Sequence, residues 1–207
     1  MTILQDDGAN RHIRFSKSNS STYRFDLHTW PGFLCITGDC GSYVFSRLYD
    51  MFEFFDHSKR DPHDINPSYW GQKLESIDKN GGYKSFSRDK FQALVKEHFA
   101  DFEFDDKAHR RAVKAALKSE DWGGNIESMD EAYRFFDHID LDANPYGTWD
   151  GSNFRIDELW DHDLDEFTFR YIWCCRAIRW GIRQYRLGGD RFDRQAKLDA
   201  SILTGAL

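Results

Sequence analysis

Four groups of side chains in this sequence carry residue types that do chemistry. Asp26, His28, Asp39 and Arg47 form the first. A carboxylate beside an imidazole serves proton transfer or metal ligation. Asp26 and His28 are two residues apart, so any strand that carries them puts both on one face. They are candidate catalytic groups if that face stays open. A turn aspartate and strand-end pairing are the ordinary alternative. The second group is His57, Asp61, His63 and Asp64, metal-ligand types in a loop that contains Pro62. His57, Asp61 and His63 are candidate metal ligands, although the spacing fits no standard site and a solvated loop explains it equally. The third is Asp161-His162-Asp163, where carboxylates flank an imidazole, an arrangement that also caps a helix start. The fourth is Arg176, Arg179, Arg183 and Arg186. The guanidinium fork matches carboxylate and phosphate, which makes this a candidate partner- or anion-binding stripe.

The elements that must position these groups are read from periodicity. Arg11 to Lys17 alternates, with Ile13 and Phe15 on one face and His12 and Arg14 on the other. Tyr23 to His28 alternates more cleanly. Trp30-Pro31-Gly32 reverses the chain. Phe33 to Thr37 is a continuous apolar run, Gly38-Asp39-Cys40-Gly41 is a tight turn, and Tyr43 to Phe45 closes the set. Connections this short force antiparallel neighbours, so residues 11–47 read as a four-stranded meander. Helical spacing follows at Leu48 to Phe55, from Pro67 to about Asp78, at Arg88 to Ala100, at Asp105 to Ser119 and from Ser128 to about His138. Strands first and helices afterwards predict an α+β fold, with a four-stranded antiparallel meander packed against five to six helices. The expected layout is one domain over 1–207: a flexible 1–10, the meander at 11–47, a helical part at 48–187 and a tail at 188–207.

The last helix is expected from about Leu164 to Arg186. At 100° per residue from Arg170, the four arginines fall between about 160° and 240°, and apolar residues sweep most of the remaining circle. That pattern predicts a mostly buried helix with a narrow exposed arginine strip. The strip would lie at the helix C-terminus, the end that welcomes positive charge and not phosphate.

Composition limits the function classes. Phe occurs 18 times in 207 residues, so ring packing must dominate the core. The net charge of −7 runs against a generic nucleic-acid binder, which needs surplus cations. No stretch of about 20 apolar residues is present, so no membrane partner is expected, and the polar start lacks a signal-peptide layout. Cys35, Cys40, Cys174 and Cys175 are expected to be reduced thiols in a cytoplasmic protein, with Cys174 and Cys175 as small core residues of the last helix. Gly38 to Gly41 lies between strands without a following Lys-Ser/Thr, so it is no phosphate loop. No nucleophile elbow, Cys-x2-Cys pair or His-Glu-x2-His motif occurs, and no cofactor is expected.

Two blocks carry a resemblance. Tyr23 to Asp39, continuing through Gly41 to Arg47 and Asp50 to Phe55, resembles a family of uncharacterised phage and prophage proteins. So does Phe169 to Cys175 with Trp180 to Tyr185; Asn66 to Trp70 is a weaker third match. The resemblance implies action in the bacterial cytoplasm, and the expected function is binding to a host protein, to block a defence complex in the manner of an anti-CRISPR. The acidic run Asp101 to Asp106 would suit the DNA-binding groove of such a target. The alternatives are a metal-dependent hydrolase or nuclease, and a phage nucleic-acid accessory protein that uses the arginine stripe with Trp173 or Trp180.

Overall fold

Alternation builds a larger sheet than the four expected strands. The structure is a computed structural model, and it describes residues 1–17, 20–56, 65–104, 106–118, 126–143 and 154–204. Six strands pair antiparallel in sequence order: β1 (Thr2–Asp7), β2 (Asn10–Lys17), β3 (Ser20–Trp30), β4 (Phe33–Gly38), β5 (Gly41–Ser46) and β6 (Leu74–Ser76). The α+β class stands, and this sheet has two more strands than the sequence suggested. β1 occupies residues expected to be a flexible lead, and β6 occupies residues expected to continue a helix. The helices are α1 (Met51–Phe55), α2 (Pro67–Gly71), α3 (Arg88–Asp101), α4 (Lys107–Ala116), α5 (Met129–Ala143) and α6 (Phe169–Thr204).

The chain divides into two compact units, Met1–Lys84 with Phe167–Leu207, and Ser85–Glu166. The boundary falls within a two-stranded ribbon of β7 (Lys84–Phe86) and β8 (Asp165–Phe167).

In the first unit the pleat sorts the side chains. Ile13, Phe15, Phe25, Leu27, Leu34, Ile36, Tyr43 and Phe45 are buried on one sheet face. They join Met51, Phe52, Phe54 and Phe55 of α1 and Tyr171, Cys174, Cys175, Ile178 and Ile182 of α6 in one core. Each fully buried large apolar side chain contributes about 1.5–3 kcal/mol. A Cβ on Gly181 would lie 2.9 Å from Leu27 Cδ1 and 3.1 Å from Phe15 Cε2, so α6 lies on the sheet as closely as its backbone allows. Buried hydroxyls find partners: Tyr43 donates to Gly82 O at 2.9 Å and Tyr171 to Pro67 O at 2.9 Å. Burial pushes the Tyr43 phenol up to about 12. Arg11 clamps Asp50, the N-cap of α1, through two hydrogen bonds of 2.9 and 2.8 Å, and its guanidinium lies 4.6 Å over the Phe52 ring.

The second unit has its own core, in which Phe91, Val95, Val113, Phe135, Phe136, Phe154 and Leu159 are buried. The acidic run resolves into parts here. Phe102 and Phe104 pack on Phe154, while Asp106 caps α4 by accepting from Ala108 and His109 N–H at 2.7 Å. Ser87 precedes α3 as expected, but its hydroxyl bonds Glu166 at 3.1 Å and does not cap the helix.

The long helix differs from its expected bounds at both ends. Residues before Phe169 are taken by a 3-10 turn at Leu159–Asp161 and by β8, and the helix runs through Gly188 to Thr204. The arginines therefore sit mid-helix, where the dipole neither favours nor opposes an anion. Among the described residues, no helix is long and apolar enough to cross a membrane.

Candidate functional site

Two features of the first unit gather chemically useful side chains. The larger is a cavity of about 570 Å³ lined by Phe25 of β3 and by Trp173, Arg176, Ala177, Arg179, Trp180 and Arg183 of α6. Helical periodicity explains the lining, because positions 173, 176, 177, 180 and 183 follow the three-four spacing of one helix face. Phe25 meets Trp173 edge-on at 5.7 Å and Trp180 at 6.2 Å. Trp180 is 47% exposed, so much of its ring faces solvent. Tyr23 stacks on Trp173 at 5.8 Å and is itself exposed. It holds a left-handed backbone (φ 56°), which a bulky residue rarely adopts. The Asp39 carboxylate accepts from Tyr23 N–H at 2.9 Å and secures that conformation.

The four arginines divide. Arg176 and Arg183 are exposed at the cavity. Arg179 is buried and donates to Phe55 O at 2.9 Å and to Asp56 Oδ1 at 2.8 Å. Arg186 ion-pairs with the other Asp56 oxygen. The expected exposed strip of four is thus two outward cations and two that fasten α6 to the end of α1.

The second feature lies on the sheet face opposite the core. Register sets His12 across from His28 and Arg14 across from Asp26. The two imidazoles stack with centroids 3.9 Å apart. His12 Nε2 is 2.9 Å from Asp26 Oδ2. Arg14 grips the same carboxylate through Nε at 3.1 Å to both oxygens and through Nη2 at 2.7 Å to Oδ2. Asp26 is only 6% exposed. Burial by itself raises its pKa, but the hydrogen bonds from Arg14 and His12 outweigh that and hold the carboxyl below its ordinary value. Burial, and after it the neighbouring His12, push the His28 imidazole below its ordinary value. The donor atoms of His12, Asp26 and His28 all lie within 4.8 Å of one another, a set that can hold a metal ion.

The candidate group Asp26, His28, Asp39 and Arg47 therefore splits. Asp26 and His28 converge, joined by His12 and Arg14. Asp39 belongs to the hairpin end where Gly38 faces Gly41, and it supports Tyr23. Arg47 lies beyond the other end, where Phe33 faces Ser46, and is exposed. His57, Asp61, His63 and Asp64 lie outside the described residues. Asp161, His162 and Asp163 are exposed around the 3-10 turn, with Asp163 3.5 Å from Lys90 Nζ. The four cysteines are free, and Cys40, Cys174 and Cys175 are buried. Burial pushes the Cys175 thiol up to about 12, which makes it a poor nucleophile.

Sequence reasoning missed His12 and Arg14 as members of the sheet cluster, Phe25 as part of the cavity and Tyr23 as the ring stacked on Trp173. Alternation along β2 placed His12 and Arg14 on one face, but only the pairing with β3 shows what they meet. No family model, curated protein or solved structure matches the chain.

Proposed function

We propose that this protein acts by contact, taking an acidic, aromatic-bearing segment of a partner protein into the cavity of Trp173, Trp180, Arg176 and Arg183. The observation that supports this reading is the combination of exposed ring faces with two outward guanidinium groups on one helix face. Tryptophan and arginine are the side chains that dominate binding hot spots. The rings give planar apolar area at low entropy cost, and the guanidinium groups pair with carboxylates in fork geometry. The resemblance to phage proteins makes the partner a host protein in the bacterial cytoplasm, with a defence complex as the class of target.

The test is direct binding of a labelled Glu/Tyr-rich peptide, compared with oligothymidine of similar charge. The peptide should bind, and Trp180→Ala with Arg183→Glu should weaken it at least thirtyfold, the loss of about 2 kcal/mol expected of a hot spot. Peptide affinity unchanged in that variant would overturn the reading. So would oligothymidine that binds tighter than the peptide and is displaced steeply by salt.

A further inference from the structure

The sheet cluster is separate from the contact surface and points to a different ligand. We infer that His12, Asp26 and His28 form a binding site for one divalent transition-metal ion, of the class that takes mixed imidazole and carboxylate ligands. Two neutral imidazoles and one carboxylate suit zinc, iron, cobalt or nickel better than magnesium or calcium, which prefer oxygen alone.

The spacing is the first argument. Adjacent ligands on a cation with bonds of about 2.1 Å stand about 3 Å apart when their angle at the metal is near 90°. His12 Nε2 and Asp26 Oδ2 are 2.9 Å apart, so one cation can take both as ligands with little movement of either side chain. His28 is the cross-strand partner of His12, and all three donors lie within 4.8 Å of one another.

The support behind the ligands is the second argument. Metal-bound carboxylates are ordinarily held by a further hydrogen-bonding group that fixes their orientation. Arg14 does this for Asp26 through three contacts of 2.7 to 3.1 Å. All four side chains stand on paired strands and not on loops. Cys35 is the cross-strand neighbour of His28 on β4, but its thiol is outside the set and lies 3.8 Å from Ile36 O. The protein then supplies three ligands and solvent the rest, since His12 and His28 are only half-buried. A site of that kind leaves positions open for exchange.

The experiment uses the full chain after chelator treatment and dialysis. Zn²⁺ is titrated by calorimetry and Co²⁺ by visible absorption. One equivalent should bind, with Co²⁺ giving ligand-field bands and Zn²⁺ raising the melting temperature. His12→Ala and His28→Gln should each weaken binding at least tenfold while the metal-free proteins keep the wild-type far-ultraviolet dichroism. The wild-type protein gives an independent reading, because substoichiometric Co²⁺ must broaden the ring-proton resonances of His12 and His28 first. Absence of saturable binding to the wild type would overturn the inference. Affinity within threefold of wild type in a protein that carries both His12→Ala and His28→Gln, or broadening that begins at other histidines, would equally overturn it.

Discussion

Tyr23 lies over Trp173 with ring planes 20° apart, and it does so from a left-handed backbone that Asp39 holds in place. Strain in a non-glycine residue persists only where surrounding structure compensates for it. Here the compensation is the stack and the Asp39 bond, and the strained residue sits beside the contact cavity. Replacing Tyr23 with Gly relieves the strain and replacing it with Ala does not. Tyr23→Gly should therefore be more stable than Tyr23→Ala by about 1 kcal/mol in urea denaturation. Equal stability of the two variants would show that the backbone is not strained.

Arg179 and Arg183 are four residues apart on one helix, yet they should behave oppositely. Arg179→Met removes the bonds to Phe55 O and Asp56 and should cost about 2–4 kcal/mol by chemical denaturation. Arg183→Met should stay within about 0.5 kcal/mol of wild type and affect only partner binding. A similar stability loss in both would contradict the division between fastening and outward arginines.

The β4–β5 hairpin depends on a missing side chain. A Cβ at Gly38 would stand 2.2 Å from Arg24 O, closer than any real contact, and that oxygen is backbone that cannot rotate away. Gly38→Ala should destabilise by roughly 1–3 kcal/mol. It should also weaken peptide binding, because Asp39 and Tyr23 lie on the displaced segment. A thermal melt unchanged from wild type would refute this.

Acid should weaken the fold through Asp50. Burial alone raises its carboxyl, but the hydrogen bond from Arg11 and the Phe52 N–H outweigh burial and hold it below the ordinary value. A pKa lowered on folding means that the unfolded chain binds the proton more readily. The contribution is complete above the unfolded value of about 4 and is lost as pH falls through the lower folded value. Asn caps a helix as well as Asp does, so Asp50→Asn should keep the α1 cap. Its stability should fall less than that of wild type between pH 6 and pH 2, as followed by urea midpoints. Parallel pH profiles would rule out Asp50 as a contributor.

Much of this was readable from local pattern. Ile13 and Phe15 opposite His12 and Arg14 follow from the two-residue period of a strand, and Asn66 before Pro67 announced α2, whose cap accepts from Tyr69 N–H. The edges of the sheet were not readable. β1 is exposed along its length and its two apolar residues, Ile3 and Leu4, are adjacent, so no alternation marks it, and only backbone pairing with β2 makes it a strand. β6 has three residues, too few for a period to show. Gly188-Gly189 and the polar stretch after them looked like a helix end, but the helix continues to Thr204.

The sequence by itself determined which residues share a face, because strand and helix periods are properties of the backbone. It placed Asp26 with His28, and Trp173 and Trp180 on one side of a helix. Tertiary structure alone decided which faces meet. His12 reaches Asp26 through the β2–β3 register, which includes a shift between Phe15 and Lys17 that no spacing rule reveals. Arg179 is buried while Arg183 is free to face a partner, because the chain returns after α1 and sets Asp56 beside one guanidinium and not the other. The cavity joins Phe25 to residues 173–183, far along the chain, and the sheet cluster joins two neighbouring strands through their register, so packing and pairing fix them and not local preference.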